Sequence, residues 1–89
     1  MPYFVYILLS LKDEKLYVGC TENLERRIKD HNQGKVIATV KRRPFEIIYS
    51  EKLDDKSEAF NRERFLKSLW SARFKQKILK KYKQNRVCH

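Results

Sequence analysis

The sequence is poor in glycine, proline and cysteine, with two residues of each. Gly19 and Gly34 are too few for a glycine-rich phosphate loop or a dinucleotide-binding turn, so both are excluded. Cys20 and Cys88 do not make a disulfide framework. With His31 and His89 they give four candidate zinc ligands, but no C-x2-C or H-x3-H spacing joins them, which argues against a structural zinc site. No apolar run approaches the roughly 18–20 residues of a membrane helix, so a spanning segment is excluded. The opening Met1-Pro2-Tyr3-Phe4-Val5-Tyr6 lacks the charged region and small-residue cleavage site of a secretory signal. A small soluble cytoplasmic protein, most simply a monomer, is the expectation.

Acidic residues are also scarce in one part of the chain. Residues 1–61 hold 11 basic and 10 acidic side chains, whereas residues 62–89 hold 10 basic ones and a single acid, Glu63. Nearly all of the +10 net charge therefore lies in the last third. Such asymmetry suits a polyanion, above all a nucleic-acid backbone, whose phosphates release counterions to each Lys or Arg. A solvated helix face that keeps the protein soluble is the alternative.

What remains is enough for one core. The 89 residues are 42% hydrophobic and 12% aromatic, consistent with a single domain over 1–83 and a frayed tail over 84–89. Tyr3 to Leu9 is aromatic and β-branched and reads as a buried strand; after a polar turn, Leu16 to Cys20 reads as a second. Alternation places Tyr17 and Gly19 on one face. Asn23 is a helix cap, with Leu24, Ile28 and His31 on one stripe of a helix ending near Asn32. A loop over 35–44 closes with Lys41-Arg42-Arg43-Pro44, and Phe45 to Glu51 reads as a third strand. Two helices follow, over Lys56–Trp70 and from Ala72 to about Lys83, the latter with Phe74, Ile78 and Tyr82 on one line and Arg73, Lys77 and Lys80 outside. The fold class is α+β: a small three-stranded mixed or antiparallel sheet flanked by about three helices, in the order β-β-α-β-α-α.

Glu63 fits its surroundings least. It falls on the line Ala59, Glu63, Leu66, Trp70, a carboxylate within the apolar arc of its helix. Such a charge needs a partner, either an internal cation such as Arg27 or Arg62, or a metal ion in a cleft. Arg27 and His31 are polar groups bordering the Leu24/Ile28 stripe, and Tyr6 and Tyr17 stand on adjacent strands. A phenol, a guanidinium, an imidazole and a carboxylate can cut a phosphodiester; they can equally fill a small core.

At these residues the sequence resembles the GIY-YIG nuclease superfamily. Phe4-Val5-Tyr6 stands for the first motif and Tyr17-Val18-Gly19 for the second; Arg27 follows Tyr17 by ten residues and His31 by fourteen. Ser57-Glu58-Ala59-Phe60-Asn61-Arg62-Glu63 is similar to the helix that carries the family's metal-binding glutamate. The likeness is nearest to the short stand-alone members of YhbQ type, related to the N-terminal nuclease domain of UvrC, and covers roughly residues 3–80. Phe4 replaces the glycine of the first motif, and Cys20 stands where excision nucleases tend to have lysine.

The resemblance implies an endonuclease-type domain that hydrolyses phosphodiester bonds with Mg2+ or Mn2+ at Glu63. It implies a place in DNA repair or recombination, with little sequence specificity and DNA favoured over RNA. Arg27 is expected to stabilise developing charge and His31 to hydrogen-bond the phosphate or the water. Tyr17 or Tyr6 takes the proton, with Tyr17 preferred, while the small Gly19 lets the substrate backbone approach. The basic loop (Lys35, Lys41, Arg42, Arg43) and the last helix (Arg73, Lys77, Lys80) are expected to hold the nucleic acid through phosphates. A weakly catalytic or inactive nucleic-acid-binding module is the alternative.

Overall fold

The structure, a computed structural model, describes the backbone of residues 2–87 and the side chains of residues 2–84. Cys88 and His89 lie outside the described residues. Seven apolar and aromatic residues and a closing serine make β1 (Tyr3–Ser10), which has neighbours on both sides and is buried from Val5 onward. β2 (Leu16–Thr21) and β3 (Phe45–Leu53) flank it in the order β2-β1-β3, and both pairings are antiparallel. Tyr6 lies opposite Gly19, and Leu8 opposite Tyr17. The β1–β3 register shifts between Ile7 and Leu8, whose partners are Tyr49 and Ile47, so Ile48 is an extra residue. The shift lets consecutive residues, Ile48 and Tyr49, pack on the same side.

Strand alternation divides the apolar residues between two layers. On one side Tyr6, Leu8 and Phe45 meet Leu24 and Ile28 of α1 (Leu24–Asn32). The Asn23 side chain caps this helix by accepting from the Arg26 N–H at 3.1 Å. At the other end, Asn32 donates to the Phe45 carbonyl and accepts from the Phe45 N–H, tying α1 to β3. On the opposite side Val5, Ile7 and Val18 meet Ala59 and Leu66 of α2 (Lys56–Lys67), with Phe74 and Ile78 of α3 (Ala72–Val87) against the edge of that cluster. Glu51 of β3 accepts from both the Tyr49 hydroxyl and the Arg62 Nε, at 2.6 and 3.0 Å, and so fastens α2 to the sheet.

The element order matches the expected one, β-β-α-β-α-α, and the fold is α+β. The second helix is shorter than its periodicity predicts. It ends at Lys67, because Ser68 is extended and its hydroxyl turns back to the Phe65 carbonyl at 2.6 Å. A short 3-10 turn over Leu69–Ser71 follows. Ser71 is buried, its hydroxyl donating within reach of the Leu66 and Ser68 carbonyls. The turn leaves Leu69 and Trp70 94% and 89% exposed, so Trp70 is not the core residue expected from the line Ala59, Glu63, Leu66, Trp70.

These positions predict opposite outcomes for two truncations. Leu66→Ala will lower the unfolding free energy by about 3 kcal/mol, the cost of a cavity beneath α2. Trp70→Ala, the larger deletion, will change it by less than about 0.5 kcal/mol. Chemical denaturation of the two variants checks both values.

Candidate active site

The site is built around Tyr6. Its side chain is 1% exposed and extends over Gly19 on the neighbouring strand. A Cβ added to Gly19 would overlap the Tyr6 hydroxyl and ring. Gly19 therefore makes room for the phenol of Tyr6; the space expected for a substrate backbone is already filled from inside the protein. Gly19 is in the sequence for volume, at a position where its backbone conformation asks for nothing special.

Tyr6 hydrogen-bonds to His31 Nε2 at 3.0 Å, and His31 Nδ1 to Thr39 Oγ1 at 2.8 Å. His31 is completely buried, ringed edge-on by Tyr6, Tyr17 and Phe45 with centroids 5.0–5.9 Å away. Burial, aided by the charge of Arg27 and opposed by Asp30, pushes its pKa down to about 4, so the ring is neutral at physiological pH. Hydrogen-bond polarity then fixes the direction of the chain. Arg27 can only donate, and it sits beside the Tyr6 oxygen. The Tyr6 O–H is thus free to donate to Nε2, Nδ1–H donates to Thr39, and the Thr39 hydroxyl is directed at the Val36 carbonyl, 3.4 Å away. His31 has neither exposed surface nor a spare nitrogen for the phosphate contact expected of it. It holds Tyr6 instead.

Burial first, then the nearby charges of Tyr17 and Glu63, raise the Tyr6 pKa against the opposing pull of Arg27, to about 12. Groups from α1, β2 and α2 thus bear on the proton of one phenol. Tyr17 is half-buried, with its ring against His31. Arg27 lines an open cleft of about 390 Å³ with Thr21, Glu22, Asn23, Arg26 and Asp30, and Tyr6, Tyr17 and Glu63 are not part of its lining. The Glu63 side chain is 20% exposed and pairs with Lys67 at 3.3 Å; its field also helps raise the Cys20 thiol, after burial itself. Neither of the internal cations considered from sequence is its salt-bridge partner, because Arg62 is taken by Glu51.

Of the expected phosphate-binding groups, Lys35, Lys41, Arg43, Arg73, Lys77 and Lys80 are exposed. Arg42 is only part-exposed: its Nε pairs with Asp13 at 2.8 Å and its guanidinium lies 5.7 Å from the Phe45 ring centroid. Thr39 was passed over in sequence. It lies in an irregular loop, eight residues beyond His31, where no periodicity announces that its hydroxyl turns inward.

Two tyrosines on paired strands, an arginine on α1 and a glutamate on α2 stand in a β-β-α-β-α-α fold, that of a nuclease-type family. The GIY-YIG catalytic domain profile matches residues 2–86, and the chain belongs to this family. A UPF0213 protein of Clostridium perfringens is 48% identical to it over 67 residues, 74% of this chain and 71% of the relative. Another, of Natronomonas pharaonis, is 42% identical over 72 residues, 80% and 84% of the two chains. The solution NMR structure of a UPF0213 protein from Bacillus halodurans is similar with a TM-score of 0.54 at 37% identity, covering 90% of this chain and 84% of that one.

Two predictions test this architecture. Gly19→Ala will destabilise the fold by about 2 kcal/mol by driving Cβ into the Tyr6 ring. In a Tyr6→Ala background the same change will cost less than about 0.5 kcal/mol, a coupling measurable by a double-mutant cycle. The second concerns pH. The folded His31 pKa lies below the ordinary value of 6.5, so unfolding takes up a proton as pH falls beneath 6.5. The stability contributed, about 3 kcal/mol, is fully present above 6.5 and is lost progressively toward pH 4. His31→Gln will flatten the unfolding profile in that interval. The decline from the Asp13 carboxyl, which its bond from Arg42 holds down to about 2, lies lower, beneath pH 3.8.

Proposed function

We propose that the chain is a divalent-cation-dependent endonuclease that hydrolyses phosphodiester bonds in DNA with little sequence specificity, in the manner of repair or recombination nucleases. The observation that carries this reading is the match of residues 2–86 to the GIY-YIG catalytic domain, with Tyr6 and Tyr17 on paired strands beneath α1.

The donor set at Glu63 fits Mg2+ or Mn2+. It offers one hard carboxylate, and among the described residues no group of three or more His, Cys, Asp and Glu could form a closed cage. Mg2+ is commonly held through one or two carboxylates, completing its shell with water and phosphate oxygens. Lys67 is 55% exposed and shares the carboxylate through an i,i+4 pair of the kind worth only about 0.3–0.5 kcal/mol, so it yields readily to a doubly charged ion. Bound there, the cation supplies Lewis-acid polarisation of the phosphate and neutralises the leaving oxygen.

The side chains divide the remaining work. Arg27, at the cleft, binds a non-bridging phosphate oxygen and stabilises charge that develops on it. Tyr17, the more accessible phenol, positions the attacking water and, in its phenolate form beside the positive charge of the site, takes the water's proton. Tyr6, with its pKa near 12, keeps its proton and serves as the acceptor that orients Arg27. His31 and Thr39 fix Tyr6 in turn. The exposed lysines and arginines supply a salt-sensitive, largely sequence-independent grip on phosphates.

Cleavage of branched and single-stranded DNA in Mg2+ tests the assignment. Glu63→Ala and Arg27→Ala are each expected to reduce the rate about 10²–10³-fold, as the loss of one charge-stabilising group does, with folding and DNA binding retained. Cleavage that survives both substitutions overturns the proposed site. A wild-type protein that binds DNA but neither cuts it nor gains thermal stability from Mg2+ is instead a binding module.

A further inference from the structure

Trp70 is the chain's single tryptophan, and it is 89% exposed beside a 94% exposed Leu69. Exposing two such residues forgoes the hydrophobic stabilisation that their burial would bring. The turn that holds them out is firmly made. Ser68 stops the helix, and the buried Ser71 hydroxyl binds the carbonyls of Leu66 and Ser68, both at 2.9 Å. The other exposed aromatics of α2 are covered by cations: Lys56 lies 5.5 Å from the Phe60 ring centroid, and Arg62 lies 5.2 Å from that of Phe65. Among the described residues, no ring or cation contact covers Trp70.

The charge around this turn decides what it can receive. Arg64 and Lys67 precede it and Arg73, Lys75 and Lys77 follow it, with no acid between Glu63 and the end of the described chain. A second copy of the chain would bring the same cations against them, whereas a nucleic-acid strand brings phosphates to the cations and a flat apolar base to the indole. We propose that Trp70 is a stacking platform for an unpaired base of a DNA strand, with Arg64, Lys67 and Arg73 on the flanking phosphates. The base must be unpaired, because an indole reaches the face of a base only where the duplex is open. Trp70 stands in the turn that directly follows the helix carrying Glu63. This inference rests on the proposed DNA substrate and adds to it a preference for flayed or single-stranded segments.

Because the tryptophan is unique, its fluorescence reads the contact directly. The full chain is titrated, without divalent cations, with oligodeoxythymidylate, with a blunt duplex of the same length, and with inorganic polyphosphate of equal charge. The expected result is strong quenching by the single strand and little by duplex or polyphosphate. Trp70→Ala should weaken single-strand binding about 5–100-fold, measured by anisotropy of a labelled oligonucleotide, and Trp70→Phe should recover most of the loss. Equal quenching by polyphosphate overturns the proposal, as does a loss below twofold in Trp70→Ala. A spectral shift caused by raising protein concentration alone also overturns it, since the occupant is then a second copy. Quenching without any metal-dependent cleavage leaves the platform standing and removes the hydrolase, whereas cleavage without quenching removes only the platform.

Discussion

One steric constraint orders the centre of this protein: the phenol of Tyr6 lies where a side chain at position 19 would be. The close approach of β1 and β2 at this pair brings the Tyr6 oxygen to His31, and from His31 the hydrogen bonds run to Thr39 in the loop before β3. Neutral His31 is what makes the arrangement possible. A charged imidazole would have two donors and would turn the Tyr6 O–H away from it, toward an arginine that can only donate. Burial, which keeps His31 neutral, thus also keeps Tyr6 protonated and Arg27 in place. Packing and electrostatics here are a single effect seen from two sides.

The different surroundings of the two tyrosines follow from the same constraint. Both stand on the α1 side of the sheet, but Tyr6 is on the central strand and Tyr17 on an edge. The central position seals one phenol under α1, and the edge position leaves the other accessible. Two residues that look equivalent in a motif therefore differ in accessibility, the edge one being the more open to solvent.

Much of this was legible in the sequence. The strands were marked by aromatic and β-branched runs, and α1 by Asn23 and its apolar stripe. The end of α2 was not legible, because the apolar period runs through to Trp70 while Ser68 and Ser71 satisfy carbonyls that a longer helix would have used. The place of His31 was only half legible. Its stripe put it against the core, but its partner Thr39 is a loop residue, and long-range hydrogen bonds leave no periodic trace. Arg42 reads as one more cation in a basic run, and only the fold reveals the aspartate opposite it.

The junction at Glu51 has a mechanical meaning for its neighbours. Arg62, held there and lying 5.1–5.2 Å from the Phe65 and Phe74 ring centroids, is adjacent in sequence to Glu63. The two side chains leave α2 about 100° apart, so the clamp on one sets the bearing of the other. Helix rotation is thereby geared to a carboxylate on β3, and loosening that gear would misaim Glu63 without altering a single atom of it.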